Sequence, residues 1–403
     1  MMEKVFEKLE SMREELIQFT IEMNRIKAVN PAGGGEGEEK RADWLEKKLR
    51  EICDEVERYD TLDENGIKRP NLIGIIYGED RSRTLWLIGH MDTVPEGDLS
   101  LWEHDPYDPI LKDGKIYGRG TLDDGQAIVS SYFAAKAMRK AGMRPKYNIG
   151  LAYVADEEAG SRYGAEFLMD KGIFKPNDLV VVPDGGAPDG SFVEIAEKSA
   201  AWIKIVTIGK QAHASMPHTG VNAHRAAMKF ALAVDEYLHK KYADEDSTFE
   251  PPISTFEITK KERNVDNINT IPGTDVIYFD FRVLPHYKIE DVIGDVRKIA
   301  EEYEKKENVK INVEIVQASQ AAPPTDVNSE IVQKLMKALR ELRGIEPVAG
   351  GIGGGTVAAF FRRVGIPAVV WMTADDVEHQ PNEYCRVDNC INDAKVFIYL
   401  ALS

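Results

Sequence analysis

His90 and Asp92 stand two residues apart, directly after the apolar run 84–89. Asp156, Glu157 and Glu158 follow the apolar run 147–155, Asp184 follows 179–182, and His379 comes a short loop after 368–372. Imidazole and carboxylate in an open site are the ligand set of catalytic zinc and similar divalent ions. On an extended chain, residues two apart point to one side, so Asp92 is expected to orient the His90 imidazole. Adjacent residues point opposite ways. Of Glu157 and Glu158, one can bind metal while the other takes a proton from the attacking water, as in metal-assisted hydrolysis. Each piece alone reads as a solvated loop, and Asp123-Asp124 before Gly125 as a turn. Together they converge: four apolar runs end in potential ligands, and ligands of open α/β sheets bind at the C-terminal strand edge.

The elements that carry these residues alternate. Strands are expected over 71–77, 84–89, 147–155 and 179–182, and helices over 3–23, 38–53, 128–141 and 164–171. That rhythm predicts an α/β domain with a largely parallel sheet. From 201 the order becomes β-α-β-β-α-β, the split pattern of a ferredoxin-like sandwich. After Pro323-Pro324 the α/β rhythm returns. The expected organisation is therefore a catalytic domain in two parts, 1–195 and 319–403, with an inserted lid or dimerisation domain at 196–318.

Composition narrows the class. The 403 residues are 43% hydrophobic and 30% charged, which is the balance of a folded chain. The net charge of −17 argues against nucleic acid and anionic membrane surfaces as partners. The N-terminal segment is charged and amphipathic, unlike a secretory signal, and Cys53, Cys385 and Cys390 form no disulfide framework, so a cytoplasmic enzyme is expected.

Further motifs follow in order: His90-Met-Asp-Thr-Val-Pro95, Tyr117-Gly-Arg-Gly120, Asp123-Asp124, Asp156-Glu-Glu158, Asp184, Gly209-Lys-Gln-Ala-His213, Asn269-Thr-Ile-Pro272, Asp280-Phe-Arg282 and His379-Gln-Pro-Asn-Glu383. In this order they resemble the dinuclear zinc hydrolases that include acetylornithine deacetylase, succinyl-diaminopimelate desuccinylase, aminoacylase, dipeptidases and glutamate carboxypeptidase. The resemblance spans about 70–385 and implies a zinc-peptidase-like fold and roles for single residues. His90, Asp123 and Asp184 would hold one metal, and Asp123, Glu158 and His379 a second, so that Asp123 bridges. The ions would be zinc, with cobalt or manganese accepted by the same ligands. Glu157 would be the base. His213 would reach the active site of a partner subunit and stabilise the oxyanion, which implies a homodimer. Asn269 and Arg282, with the loop at Gly355 and Thr356, would hold a substrate carboxylate. The implied reaction is hydrolysis of a peptide or N-acyl amino acid amide bond beside a free carboxylate.

The chain departs from the family pattern on the substrate side, with Gly125-Gln126 after the acidic pair, Lys198-Ser199 before the inserted domain, and Gly355-Thr356-Val357-Ala358 where desuccinylases have Gly-Thr-Ser-Asp. Two other readings exist. The run Gly353–Ala358 can be written G-x-G-x-x-A with Asp375 downstream, the fingerprint of a dinucleotide-dependent oxidoreductase, but 345–350 reads as a poor strand. A non-catalytic metal or peptide binder would lack the base, and Glu157 is present.

Overall fold

The computed structural model describes residues 2–403. The chain divides into two compact units. The first comprises the residues up to Ile195 with Thr325–Gly350 and Thr356–Ser403; the second comprises Ala196–Pro324 and Gly351–Gly355.

The first unit is built on an eight-stranded mixed sheet, in the order Glu55–Leu62, Lys68–Ile76, Tyr147–Val154, Asp80–His90, Leu179–Ala187, Ala368–Thr373, Phe192–Glu197 and Val348–Ile352. The four middle strands are parallel, and antiparallel pairs flank them. These four are the apolar runs that precede the candidate ligands, so their C-terminal ends share one edge. Burial on both faces explains why they read as unbroken apolar runs. Trp86 and Ile88 of Asp80–His90 join a core with Ile73, Val180, Val182, Val370 and Phe361. On the other face, a Cβ on Gly89 would stand 3.2 Å from Asp124 Oδ2 and from Ile128, so glycine lets the helix Gly125–Lys140 close on the strand just before His90. That helix is buried from Gly125 to Met138 and packs against Val387–Leu402.

Several elements differ from expectation. The helix expected over 3–23 is two, Met2–Glu10 and Arg13–Arg25; Ser11 Oγ donates to the Lys8 carbonyl at 2.7 Å and competes with the helix ladder there. Glu55–Leu62, Phe192–Glu197 and Val348–Ile352 were not expected as strands. Glu55–Leu62 is a half-exposed edge strand with few apolar residues. Phe192–Glu197 carries Glu194, whose carboxylate is buried with Arg362 at 3.2 Å, so a charge in its sequence conceals a core strand.

The second unit has a four-stranded sheet in the order Thr255–Lys261, Thr274–Val283, Ser199–Ile208 and Lys310–Ser319, every pair antiparallel. Counted along the chain this is 2-3-1-4, the ferredoxin-like order. The helices Ala223–Lys241 and Ile289–Glu307 bury one face of the sheet through Ile203, Ile205, Phe230, Val234, Phe279, Phe281 and Val296. The segment Gly351–Gly355 belongs here because Gly351 N donates to Thr248 O at 2.6 Å and Lys198 N to Ile352 O at 3.0 Å; the sequence boundary assigned it to the catalytic domain. Among the described residues no helix is long and apolar enough to cross a membrane.

Candidate metal and catalytic site

His90 ends its strand, buried, with Nδ1 at 2.9 Å from the Asp92 carbonyl oxygen. A carbonyl only accepts, so Nδ1 carries a hydrogen, and Nε2, which faces the Asp123 carboxylate, is the nitrogen that would turn to a cation once its own proton is displaced. Asp92 thus meets the ring through its carbonyl, while its carboxylate lies 3.6 Å from Nδ1. The chain turns inward after the strand, and the carboxylate sits beneath the one-turn helix Glu157–Ala159. There Oδ1 accepts the Glu157 N–H at 3.1 Å and Oδ2 the Glu158 N–H at 3.2 Å. Asp92 thus caps the turn that carries both glutamates.

Asp123 lies between the two histidines. Its Oδ1 is 2.9 Å from His90 Nε2 and its Oδ2 is 2.9 Å from His379 Nε2. His379 Nε2 is also 3.2 Å from Glu158 Oε2, and His90 Nε2 is 3.8 Å from Asp184 Oδ1 and 4.0 Å from Glu157 Oε2. The donor atoms of His90, Asp123 and Glu158 all lie within 4.8 Å of one another, as do those of His90, Glu157 and Asp184. Two ligands about 2.0–2.1 Å from a tetrahedral ion are about 3.3 Å apart, so these separations suit donors that share an ion. Four carboxylates converge here, and no lysine or arginine among the described residues pairs with any of them. A donor set of this charge fits divalent cations.

The electrostatics point the same way. Burial, then the Asp184 charge, raise the Glu157 carboxyl well above the ordinary range. Burial and the Asp124 charge do the same to Asp184. Burial would also raise Asp123, but hydrogen bonds from His379 and His90 overcome it and hold its pKa low. Hydrogen bonds to Asp123 and Glu158 push His379 up to about 10.

A positioning group passed over in the sequence is Glu383, fully buried. Its Oε1 accepts the N–H groups of Gly120, Leu122 and Asp123 at 3.0–3.1 Å, and Oε2 meets Arg119 Nη1 at 2.6 Å. Arg119 Nη2 in turn donates to the His379 carbonyl at 3.3 Å. One ion pair therefore holds the loops of Asp123 and His379. Glu383 closes the His379-Gln-Pro-Asn-Glu383 run, but nothing in the sequence shows that it is buried against Arg119.

All these residues lie in the first unit. His213, Asn269, Arg282 and Gly355 belong to the second. His213 pairs with Thr270 in a two-stranded ladder; its side chain is exposed, with Nδ1 2.8 Å from Ser215 Oγ. Asn269 is the exposed neighbour of that ladder, and its carbonyl accepts Ala214 N at 2.8 Å. Arg282 is half-buried and forked on Asp280, with Nε to Oδ1 at 2.6 Å and Nη2 to Oδ2 at 3.0 Å, and its Nη1 donates to Gly353 O at 2.8 Å. The structural pairing with Asp280 is thus formed, and three of five guanidinium N–H groups are engaged. In the first unit, Thr356 Oγ1 accepts Ala358 N at 3.2 Å, just before the helix Ala358–Arg363.

The dinucleotide reading fails on topology. A strand, Val348–Ile352, does precede the glycines, contrary to expectation, but the helix after them has six residues. The next strand, Ala368–Thr373, is separated from Val348–Ile352 by Phe192–Glu197, so no adjacent βαβ unit exists.

Residues 86–403 match the model of peptidase family M20/M25/M40. The chain is 42% identical to an uncharacterized metallohydrolase of Methanocaldococcus jannaschii, over 95% of this chain and 98% of that protein. It is 28% identical to the succinyl-diaminopimelate desuccinylase of a Nitratiruptor species, over 74% of this chain and 78% of that one. Its fold is similar to that of human carnosine dipeptidase 1, with a TM-score of 0.78 at 19% identity over 100% of this chain and 98% of the other.

Proposed function

The chain belongs to peptidase family M20/M25/M40 and is a metal-dependent hydrolase; from that premise we propose that it cleaves a peptide or N-acyl amino acid amide bond beside a free carboxylate, with two divalent cations, zinc in the first instance. The observation that carries this reading is the Asp123 carboxylate, which offers one oxygen to the His90 side and the other to the His379 side at 2.9 Å each. His90, Asp123 and Asp184 would hold one cation, and Asp123, Glu158 and His379 the other. Bound there, the cations supply Lewis acidity at the scissile carbonyl and acidify the attacking water. Glu157 takes the proton of that water and carries it to the leaving amine.

The second unit serves as lid and dimerisation domain in this reading. Helix Ala223–Lys241 exposes Met228 and Leu232 (48% and 65%), and the edge strand Thr255–Lys261 exposes Ile258 (43%), an apolar surface of the kind that mates with a partner. From such a dimer His213 stabilises the oxyanion of the partner's site. Asn269, the loop at Gly355-Thr356 and the two unengaged N–H groups of Arg282 receive the substrate carboxylate.

The test is a panel of dipeptides, longer peptides, acetyl and succinyl amino acids, each as free acid and C-terminal amide, after chelation and after return of zinc, cobalt or manganese. Stripped protein should be inactive, and cations should restore it. Amides should be poorer by about ten- to a hundredfold, as loss of a charge-assisted hydrogen bond requires. Full activity in stripped protein sinks the metal reading. Equal rates on acid and amide return Arg282 to its pairing with Asp280.

A further inference from the structure

We propose that Asn30 and Arg69 are positioning residues for Glu157, acting through the buried carboxylates of Asp92 and Asp156; the proposal rests on the reading of Glu157 as the base. Asn30 and Arg69 precede the segment that matches the family, and Asn30, Arg69, Asp92 and Asp156 are all at most 3% exposed. The Asn30 side-chain oxygen accepts Ala32 N at 2.9 Å, which fixes the amide and turns its NH₂ group toward the carboxylates. From there Nδ2 donates to Asp92 Oδ2 at 2.7 Å and to Asp156 Oδ1 at 3.3 Å. Asp92 is the group that caps the Glu157 and Glu158 N–H groups.

Asp156 holds the other end of the same turn. It precedes Glu157 with φ of 65°, a left-handed conformation uncommon for side-chain-bearing residues but more open to Asp than to most. Three donors hold its side chain: Asn30 Nδ2, Arg69 Nη1 at 3.0 Å on Oδ1, and the Tyr163 N–H at 3.1 Å on Oδ2. Arg69 is anchored in turn by Glu38, Nε to Oε1 at 2.8 Å. The backbone ties the support in place, since Asn30 N donates to Thr93 O and Thr93 N to Ala28 O, both at 3.0 Å. Asn30 is thus a neutral donor wedged between two buried carboxylates, one on each side of the base. Without it they face each other with no shared hydrogen bond, and the direction of the Glu157 side chain loses its lock.

The experiment uses the full-length, metal-loaded enzyme with Asn30→Ala and Arg69→Lys, each alone and combined with Glu157→Gln. Arg69→Lys keeps the charge but not the fork, and stands in if Asn30→Ala does not fold. In the native background each substitution should lower kcat at least tenfold, with KM within about twofold and bound metal unchanged. In the Glu157→Gln background the same substitution should change the residual rate less than twofold, because the group it positions is gone. In metal-free protein, the amides of Glu157 and Glu158 should exchange with solvent faster in the variants. Equal fold losses in both backgrounds, or unchanged kcat and exchange, overturn the proposal. Full activity of Glu157→Gln by itself overturns the base assignment and this proposal with it, and is read from a different variant.

Discussion

Glu157 and Glu158 are adjacent, yet Glu158 Oε2 stands 3.2 Å from His379 Nε2 whereas Glu157 Oε2 faces the other histidine, 4.0 Å from His90 Nε2. Their exchanges should therefore differ in kind. Glu157→Gln keeps shape and should lower kcat by about 10²–10⁴ while metal content holds. Glu158→Ala should lose metal, measured by elemental analysis after gel filtration. Identical behaviour would reject the division of labour. His379 adds a pH effect. Its pKa of about 10 in the cation-free protein means that below that pH the ring carries a proton that any cation must displace. Metal affinity should therefore rise with pH, by up to about tenfold per unit for each proton released. Calorimetric titration in buffers of different ionisation enthalpy would show proton release; a pH-independent affinity would deny that His379 is a ligand.

Among elements, the loop before helix Gly125–Lys140 carries Asp123, and it is not regular structure. Its shape is imposed by Glu383, which collects three of its N–H groups and pairs with Arg119. Both side chains are at most 2% exposed, so removing one leaves an uncompensated buried charge. Glu383→Ala should cost about 3–5 kcal/mol in a denaturant titration. Metal affinity should fall by about 10–100-fold, as for lost outer-shell partners. A stable variant with native affinity would show that Asp123 holds its place unaided.

At the scale of the whole molecule, the first unit contains every metal-ligand candidate, while His213 and Asn269 sit exposed on a short ladder of the second. If His213 serves a partner's site, His213→Ala should be nearly inactive with metals intact. Mixing it with Glu157→Gln should restore part of the activity, since one mixed site receives a working base and a working histidine. No recovery after demonstrated subunit exchange would confine His213 to its own chain. Leu232→Glu should shift the oligomer toward monomer in sedimentation and lower activity together, because it places a charge in the apolar patch.

The four middle strands were legible because strands buried on both faces must be apolar throughout, and the ligands stand out as the first polar residues after them. Residue type and local spacing by themselves thus determined the α/β class, the split β-α-β-β-α-β pattern and the ligand chemistry. Edge and charged strands such as Glu55–Leu62 and Phe192–Glu197 were not legible, because their partners are distant in sequence: Glu194 is tolerable inside only because Arg362 meets it. Only the tertiary structure decided that the Asp92 carboxylate caps the glutamate turn, that Arg282 is forked on Asp280, and that Asn30, Arg69 and Glu383 underlie the site. Each of these is a buried hydrogen bond, and such a bond is set by which donor the fold brings to an acceptor already removed from water, a pairing that no local pattern encodes.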